Sequence, residues 1–546
     1  MNVPLEIRYV RLWALILIIG GLIVQSSVIF VKREALAHRP FEEDTFFHMT
    51  VTRNMAMGKG ITIDGVKPTS GAQPGNFIYV LAHLAARFDK WQALRWARLL
   101  DFLASIGAAG CLYLIVCRLL YKESHEKAAA YALLTAGIWL SSFQVFRVNL
   151  NGFETGLAAL LLLTCTAVYL QLWPAGPSGA RGFWIDVALG VLFGLSVLTR
   201  IDHGFLALSA ALCYLRLAPE PLKRKCSRVF TWTLVAGIIT APWWIFCYRV
   251  GGSIMPTSGK ASAFQMTFHG YWQSVGKCAW RTLESILAIP TLSFPVPSGE
   301  GLLWVFFLLG FVAALTWYFC RTKPFVALGI APFDLRPLAF LALFGSLLMV
   351  YYIFFHGSWW FMKRYTHPIR TSAYIFSAFY VGWLAFFFEK RRWLKPLWVF
   401  SGILAGHLLI AIALTVKTYN NTDSNQFVEV ASYLETHCQD GKIGAFQSGT
   451  LGYFLDNVVN LDGKNNTDAL KAVTTGKVID YMLSQNLKYI ADWPSLIALY
   501  CNYDEFLRHF EPVASIGAHE IYRLRSNLPE QGTNGVYSSG PLPKRE

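Results

Sequence analysis

The sequence predicts a polytopic α-helical membrane protein with about 11 transmembrane helices and a small C-terminal α/β domain. Hydrophobic residues make up 54% of the 546 positions, charged residues only 15%, and the mean hydropathy is +0.40. Windows of about 20 mostly apolar residues, each long enough to cross a roughly 30 Å hydrocarbon core, recur along the first three quarters of the chain. The composition therefore excludes an ordinary soluble domain.

Each apolar window is interpreted as a helix that crosses the bilayer. The first window, Leu12 to Val31, is longer than the apolar core of a usual signal peptide. We therefore expect an uncleaved anchor, although Ala35 to Ala37 resembles a cleavage site. The windows are centred near Ile18, Gly107, Ala136, Leu162, Gly190, Ala210, Gly237, Leu309, Phe344, Ala378 and Leu404.

Basic residues in short loops set the predicted orientation, because cytoplasmic loops are enriched in Lys and Arg. Such clusters lie at 118–127, 223–228, 321–336 and 390–395, and the N-terminus is also basic. The formal net charge of +15 is explained mainly by these loops, so no nucleic-acid partner is expected. The predicted transmembrane module is 1–417, with exported loops at 32–96 and 249–301.

The predicted exported domain covers 418–525, and a Pro-, Gly- and Ser-rich disordered tail follows at 526–546. In the domain, amphipathic segments such as FVEVASYLETH, KVIDYMLSQNL and YDEFLRHF alternate with the β-like runs KIGAF, NVVNL, KYIAD and HEIYRL. Cys438 and Cys501 both lie in this domain, and the sequence does not decide whether they pair.

Candidate chemistry is concentrated where the chain leaves the first apolar window. Glu42, Glu43 and Asp44 are adjacent there, and charge so close to hydrocarbon is by default a functional-site hypothesis. A carboxylate at this place can act as a general base toward an acceptor hydroxyl. Taken alone, the triplet is better explained as the start of a solvated loop, and it is the context that favours a functional site.

Further polar residues are predicted to lie on the same face. Cations there suit a phosphate group, while lipid headgroup contact or helix anchoring is the plainer explanation. An Arg and Asp ion pair that braces two helices is the alternative for Arg200 and Asp202. The candidate phosphate ligands are Arg53, Arg200, Lys260 and Arg364. The candidate pocket residues are Glu154, Asp202, His203, His356 and Trp359.

The order of several motifs resembles the bacterial GT-C fold glycosyltransferases, and the arabinofuranosyltransferase B type (AftB-like) in particular. The resemblance extends from about Phe41 to Trp493. Its motifs are EDTFFHMTVTRNMAMGKGITIDG, PTSGAQP, NGFET, LTRIDH, PWW, SIMPTSGKA, KRYTHP and GTLGYFLDNVVNLDGKNN.

This resemblance implies a multi-pass enzyme of the bacterial inner membrane, with its active site and C-terminal domain in the periplasm. Such an enzyme passes a hexosyl or pentosyl group, with inversion, from a polyprenyl phosphate to a cell-envelope glycan, lipid or protein. Family members carry an acidic pair in the first exported loop, here Glu43 and Asp44, and Asp44 matches the catalytic aspartate. No cofactor is required by the sequence. A divalent cation (Mg²⁺, Mn²⁺ or Ca²⁺) on this pair is left open, and a monomer is expected.

Two other functions remain open at this point. A transporter or flippase of lipid-linked saccharides would place ionisable residues near the middle of its spans. Asp101 and Asp186 come nearest to that, but both lie close to predicted span ends. A membrane-anchored assembly protein would use the exported domain to bind a partner, and we expect deletion of the segment after Asn425 to separate it from a transferase.

Overall fold

The computed structural model describes residues 7–31, 36, 41–173, 176–268, 270–287, 334–357, 359, 362–390, 395–420 and 426–526, to which all structural statements refer. The predicted span centred on Leu309, the end of the second exported loop and nearly all of the predicted tail lie outside these residues.

The predicted membrane spans are confirmed as helices wherever the structure describes them. Seven described helices are long and apolar enough to cross a membrane, and a bent pair makes an eighth. The pair is His125–Leu140 and Phe143–Asn149, which meet at an angle of 61°. Two further predicted centres, Ala210 and Ala378, lie in helices of only 14 residues each, Gly204–Leu217 and Ser377–Lys390.

The membrane-length helices are Ile7–Ser27, Lys90–Leu119, Thr155–Tyr169 continued by the 3-10 turn Leu170–Leu172, Gly179–Thr199, Leu222–Gly251, Ala339–Phe354 preceded by Arg336–Leu338, and Pro396–Asn420. Shorter helices between them are Glu43–Ala56, Val80–Ala85, Thr257–Phe264, Tyr271–Leu287, Met362–Tyr365 and His367–Ala373. Short 3-10 turns lie at Pro74–Tyr79, Ile201–His203, Gln265–Thr267 and Tyr374–Phe376.

The first helix is held inside the bundle by polar contacts as well as by apolar packing. Gln25 is buried, and its Nε2 donates to the Leu140 carbonyl at 2.6 Å. Trp13 Nε1 donates to Ser401 Oγ at 2.9 Å. Since the Leu140 carbonyl lies at the break of the bent helix pair, the Gln25 amide satisfies a carbonyl that the broken helix leaves without its usual partner.

The C-terminal domain is a five-stranded mixed sheet with helices, as its alternating pattern predicts. The strand order is β2-β1-β3-β5-β4, with β1 parallel to both β2 and β3, and β5 antiparallel to both β3 and β4. The strands are β1 Lys442–Ala445, β2 Val458–Asn460, β3 Leu487–Asp492, β4 Phe510–Ile516 and β5 His519–Leu524. The helices are Gln426–His437, Gly449–Phe454, Thr467–Thr474, Val478–Ser484, Pro494–Tyr500 and Tyr503–His509.

Two features of this domain differ from the sequence predictions or complete them. Strand β4 was not predicted, because Pro512 interrupts its pattern; it lies at the sheet edge, where proline is tolerated, and its register shifts next to Pro512. Cys438 and Cys501 are both free thiols, so they do not pair.

The C-terminal domain packs directly on the segment at 43–90. Lys67 Nζ lies 2.6 Å from Asp468 Oδ2, and Lys90 Nζ donates to the Phe454 carbonyl at 2.8 Å. Tyr453 is fully buried at this contact, and its hydroxyl donates to the Lys90 carbonyl at 2.6 Å. Buried side chains at the contact show that the domain packs against the membrane module and is not joined to it by the chain alone.

Candidate functional site

The helix Glu43–Ala56 presents the acidic cluster of the first exported loop. Its first turn carries Glu43 and Asp44, which suits the positive end of the helix dipole. Thr45 in the same turn donates from Oγ1 to the Asn151 carbonyl at 2.8 Å, which ties the helix to the NGFE turn. The chain leaves the helix through Gly58 at φ +76° and Gly60 at φ +73°, a left-handed conformation that glycine adopts without strain.

Asp44 lies on the wall of a cavity of about 210 Å³. The cavity is bordered by the helix Glu43–Ala56, the segment at 200–205, the helix Thr257–Phe264, the end of the helix Ala339–Phe354, the segment at 364–365 and the C-terminal domain. Among its lining residues are Asp44, His48, Gln73, Arg200, Asp202, Tyr351, Tyr352, His356, Arg364, Tyr365, Lys464 and Asn465. Segments distant in sequence therefore converge on one polar cavity.

Asp44 is an ionised carboxylate held between two cations. Lys464 Nζ lies 3.1 Å from Asp44 Oδ1, and Arg364 Nη1 lies 3.9 Å from Oδ2. Burial by itself raises the pKa of Asp44, but the charges of Lys464 and Arg364 outweigh it and leave the pKa below its ordinary value. Lys464 also lies 3.8 Å from Asp462 Oδ2, so its ammonium is placed between two carboxylates.

Glu43 points away from Asp44 and toward the C-terminal domain. Its Oε1 accepts from the Thr450 amide at 2.9 Å, and its Oε2 accepts from the Thr450 hydroxyl. Burial raises the pKa of Glu43 to about 8 despite these hydrogen bonds. The adjacent carboxyl groups therefore differ in surroundings and charge: Asp44 faces cations in the cavity, and Glu43 joins the two parts of the protein.

Arg200 lines the cavity but is compensated by several partners. It donates from Nε and Nη2 to the two carboxylate oxygens of Asp202 at 3.1 and 2.9 Å, and its Nη1 lies 3.3 Å from Glu154 Oε1. The Tyr352 hydroxyl bonds to both Arg200 and Asp202. Glu154 also accepts from Asn76 Nδ2 at 2.9 Å. This geometry agrees with the bracing ion pair considered for Arg200 and Asp202, and it makes Glu154 a structural partner of Arg200.

Arg53 and Lys260, both predicted to hold the phosphate, do not line the cavity. Arg53 Nη2 pairs with Asp456 at 3.0 Å. It lies nine residues after Asp44, about two and a half helical turns, and therefore projects from the opposite side of the helix. Lys260 Nζ donates to the Gly251 carbonyl at 3.0 Å, although its neighbours Ser258 and Gly259 line the cavity.

The predicted pocket histidines and tryptophan are divided between cavity and core. His356 lines the cavity, and burial lowers its pKa to about 3, so the ring is neutral. His203 is fully buried next to Ser196, with Nδ1 2.6 Å from Ser196 Oγ. Trp359 lies outside the lining and packs beneath the side chains of Lys277 and Arg281. His203 and Trp359 are thus support for the site rather than part of its wall.

The residues present do not fit a metal ion on the Glu43 and Asp44 pair. The Glu43 carboxyl faces Thr450, while each Asp44 oxygen faces a cation. Within the described ranges, no group of three or more His, Cys, Asp or Glu side chains is placed to hold a metal ion. The divalent cation left open by the sequence therefore has no ligand set at this pair.

Several lining residues were not identified as site residues from the sequence. Lys464 and Asn465 lie in the turn after β2, about 420 residues beyond Asp44. In this turn, Asn460 Nδ2 donates to Asp462 Oδ1 at 2.8 Å, and the backbone N–H of Lys464 donates to the same oxygen at 2.9 Å. The run NLDGKNN, with its turn-forming residues around a lysine, was the available signal. Tyr351 and Tyr352 lie in an apolar segment that gave no signal, whereas Tyr365 lies in the motif KRYTHP next to Arg364.

Asp101 and Asp186, the carboxylates nearest to the middle of a predicted span, do not mark a path through the helix bundle. Asp101 accepts from the Tyr79 hydroxyl at 2.6 Å and from the Gly152 amide at 3.0 Å. Asp186 pairs with Arg228 at 3.1 Å and accepts from Trp232 Nε1 at 2.9 Å. Both carboxylates are accounted for by local contacts that join helices and turns.

Similar architecture is found among solved structures. ArnT from Cupriavidus metallidurans bound to undecaprenyl phosphate aligns with a TM-score of 0.57 at 14% identity, over 94% of this chain and 98% of that chain. The oligosaccharyltransferase of Archaeoglobus fulgidus in its apo form aligns with a TM-score of 0.57 at 11% identity, over 95% and 75%. The same oligosaccharyltransferase, AglB, in complex with an inhibitory peptide and a dolichol-phosphate, gives a TM-score of 0.54 at 11% identity, over 95% and 75%.

No family model matches this sequence, and no curated protein matches it. The structural likeness extends over nearly the whole chain and includes both the membrane helices and the C-terminal domain. The chain is therefore a polytopic membrane protein with the GT-C fold that it shares with ArnT and AglB.

Proposed function

We propose that this protein is an inverting glycosyltransferase that moves a sugar from a polyprenyl-phosphate donor to an acceptor outside the cytoplasm. The observation that carries the proposal is the ionised Asp44 on the cavity wall, held by Lys464 and Arg364. A carboxylate base next to two cations is what transfer from a phosphate leaving group needs. The fold supports the same conclusion, since ArnT with this fold was solved with undecaprenyl phosphate.

In the proposed reaction, Asp44 accepts the proton of an acceptor hydroxyl as that oxygen bonds to the anomeric carbon of the sugar. The bond between the anomeric carbon and the phosphate oxygen breaks, and polyprenyl phosphate leaves with the electron pair. Arg364 and Lys464 stabilise the charge that grows on this oxygen. Arg200 lines the same cavity, but its three side-chain nitrogens face the carboxylates of Asp202 and Glu154 at 2.9 to 3.3 Å. It is therefore a weaker phosphate ligand than Arg364, which lies 3.9 Å from Asp44.

Attack from the side opposite the leaving group produces inversion at the anomeric carbon. Glu43 has no direct role in this scheme, because its carboxyl is hydrogen-bonded to Thr450.

We place the site on the periplasmic face of a bacterial inner membrane, as the basic loops predict. The proposed acceptor is a cell-envelope glycan, such as lipopolysaccharide, or another lipid or protein.

The test combines cells and purified protein. Mass spectrometry of envelope glycans and lipid-linked sugars is compared in cells with and without the protein. We expect one sugar to be lost from a glycan while its polyprenyl-phosphate carrier accumulates. Purified protein incubated with that carrier and the deficient glycan should restore the sugar with inverted anomeric configuration. Unchanged glycans together with altered distribution of the carrier across the membrane would instead indicate the transporter alternative.

A further inference from the structure

The cavity holds several neutral polar groups whose hydrogen bonds are not made within the described residues. The buried atoms Nδ1 of His48, Nε2 of His356, Oε1 of Gln73 and Oδ1 of Asn465 have no hydrogen-bond partner there. All four residues line the cavity. A buried polar atom without a partner costs about 1–3 kcal/mol, so such a concentration in one cavity needs an explanation.

These groups are uncharged and thus suited to hydroxyl groups. Burial lowers the pKa of His48 to about 4 and that of His356 to about 3, so both rings are neutral at physiological pH. A neutral imidazole and a carboxamide can each donate and accept. The cations of the cavity, by contrast, are turned toward carboxylates. The wall thus carries neutral groups that can hydrogen-bond among the charged groups around Asp44.

Asn465 is the member of this neutral group that the C-terminal domain supplies. Only 6% of the residue is exposed, and the hydrogen-bonded turn around Asp462 fixes the preceding residue, Lys464. The first exported loop approaches closely at Gly71, where a Cβ atom would lie 2.3 Å from Asn465 Oδ1. The amide is therefore confined between that loop and the cavity, one residue after the lysine that bonds to Asp44.

We propose that Asn465 is a sugar-specificity residue, whose amide hydrogen-bonds a hydroxyl of the transferred sugar while it is still attached to the polyprenyl phosphate. The proposal rests on the proposed function, since it assigns part of the same cavity to the sugar. This assignment gives the C-terminal domain a role in recognising the sugar of the donor. The substrate class is a sugar with free hydroxyls, because the cavity atoms that have no partner belong to neutral groups that can hydrogen-bond to hydroxyls.

Binding measurements on the detergent-solubilised full chain test this assignment without an acceptor. The probes are sugar-free undecaprenyl phosphate and undecaprenyl phosphate carrying glucose, galactose, mannose or arabinofuranose. For each protein, the dissociation constant of the sugar-free lipid is divided by that of each sugar-linked lipid. The variants are Asn465→Ala and Asn465→Leu, of which the second keeps the four side-chain heavy atoms and their branching at Cγ. Asn466→Ala is the matched control, since Asn466 caps the helix Thr467–Thr474 and does not line the cavity.

We expect the wild-type protein to prefer one sugar-linked lipid, and both Asn465 variants to lower that preference about threefold to tenfold, the worth of one neutral hydrogen bond. Their affinity for undecaprenyl phosphate should be unchanged, and Asn466→Ala should lower the melting temperature but keep the preference. If both Asn465 variants keep the wild-type preference for the sugar-linked lipid, the proposal is overturned and the proposed function stays intact. The same holds if both variants bind all of the lipids more weakly by the same factor. If the wild type prefers no sugar-linked lipid and transfers none, the proposed function fails first.

Discussion

Two neighbouring carboxyl groups offer a sharp test of the proposed chemistry. Asp44→Asn and Glu43→Gln are the same chemical change, an oxygen replaced by an amide nitrogen, at adjacent positions of one helix. Asp44 faces the cavity with Lys464 at 3.1 Å, whereas Glu43 faces Thr450. We expect Asp44→Asn to abolish sugar transfer and Glu43→Gln to leave it within about threefold of wild type, since a neutral replacement of a mostly protonated carboxyl changes little.

The expected magnitudes follow from the surroundings of each group. Loss of a general base lowers the rate by about 10²- to 10⁴-fold. At neutral pH, Glu43 with a pKa of about 8 is mostly protonated, so glutamine preserves its charge and its acceptor for the Thr450 amide. Asp44→Asn also leaves Lys464 and Arg364 without their shared carboxylate. Removal of one partner from a fully buried pair costs about 3–5 kcal/mol. We expect less here, because the Asp44 side chain is 12% exposed and Asp462 remains 3.8 Å from Lys464.

The assay is single-turnover transfer from the polyprenyl-phosphate sugar, normalised to folded protein by size-exclusion chromatography. Melting temperatures of both variants are measured in the same detergent. A folded Asp44→Asn protein that transfers sugar at the wild-type rate refutes the assignment of the base. Equal loss of transfer in both variants would refute the separation of roles, because the two carboxyl groups would then act together.

Three further predictions follow from the contacts at the site. The melting temperature of Glu43→Gln should rise relative to wild type between about pH 5 and pH 8. Over that window the Glu43 carboxyl is ionised in the unfolded chain, whereas the folded protein keeps it protonated up to a pKa of about 8, so the wild type loses stability as the pH rises; an unchanged difference would contradict its burial. Arg364→Met should weaken undecaprenyl phosphate binding at least tenfold, whereas Arg53→Met should not change it, since Arg53 pairs with an Asp456 that is 79% exposed. Tyr352→Phe should lower the free energy of unfolding by about 1–3 kcal/mol in denaturant titrations, because it removes the hydroxyl that bonds to both Arg200 and Asp202.

Much of the fold could be predicted because its driving force is local in sequence. A run such as Leu12 to Val31 is apolar over a membrane-spanning length whatever its neighbours are, and it forms the helix Ile7–Ser27. The break at Ser141 and Ser142 was not predictable in the same way. Its carbonyl at Leu140 is satisfied by Gln25 from another helix, a contact that hydropathy does not encode.

The site could be predicted only in part, because its residues meet through tertiary contacts. Asp44 stood out as charge next to an apolar run, and Arg364 as a cation on the same face. The turn-forming run NLDGKNN indicated a turn around Lys464 but not its position, because Lys464 reaches Asp44 only through the packing of the C-terminal domain on the segment at 43–90. Arg53 shows the opposite case: its guanidinium suggested a phosphate ligand, while the helical period turns its side chain away from the cavity and toward Asp456.

These contacts also change what a deletion can show. Removing the segment after Asn425 would separate an assembly protein from a transferase only if the C-terminal domain lay apart from the site. It does not, since the deletion would remove Lys464 from Asp44 and Thr450 from Glu43 together. Loss of activity in the shortened chain would therefore follow from either function. Point variants that keep the C-terminal domain packed on the membrane module separate the two functions. Lys464→Met should abolish transfer. Lys67→Met, which breaks another ion pair between the domain and the module, should not. Equal effects of the two variants would favour a domain that only supports the membrane module.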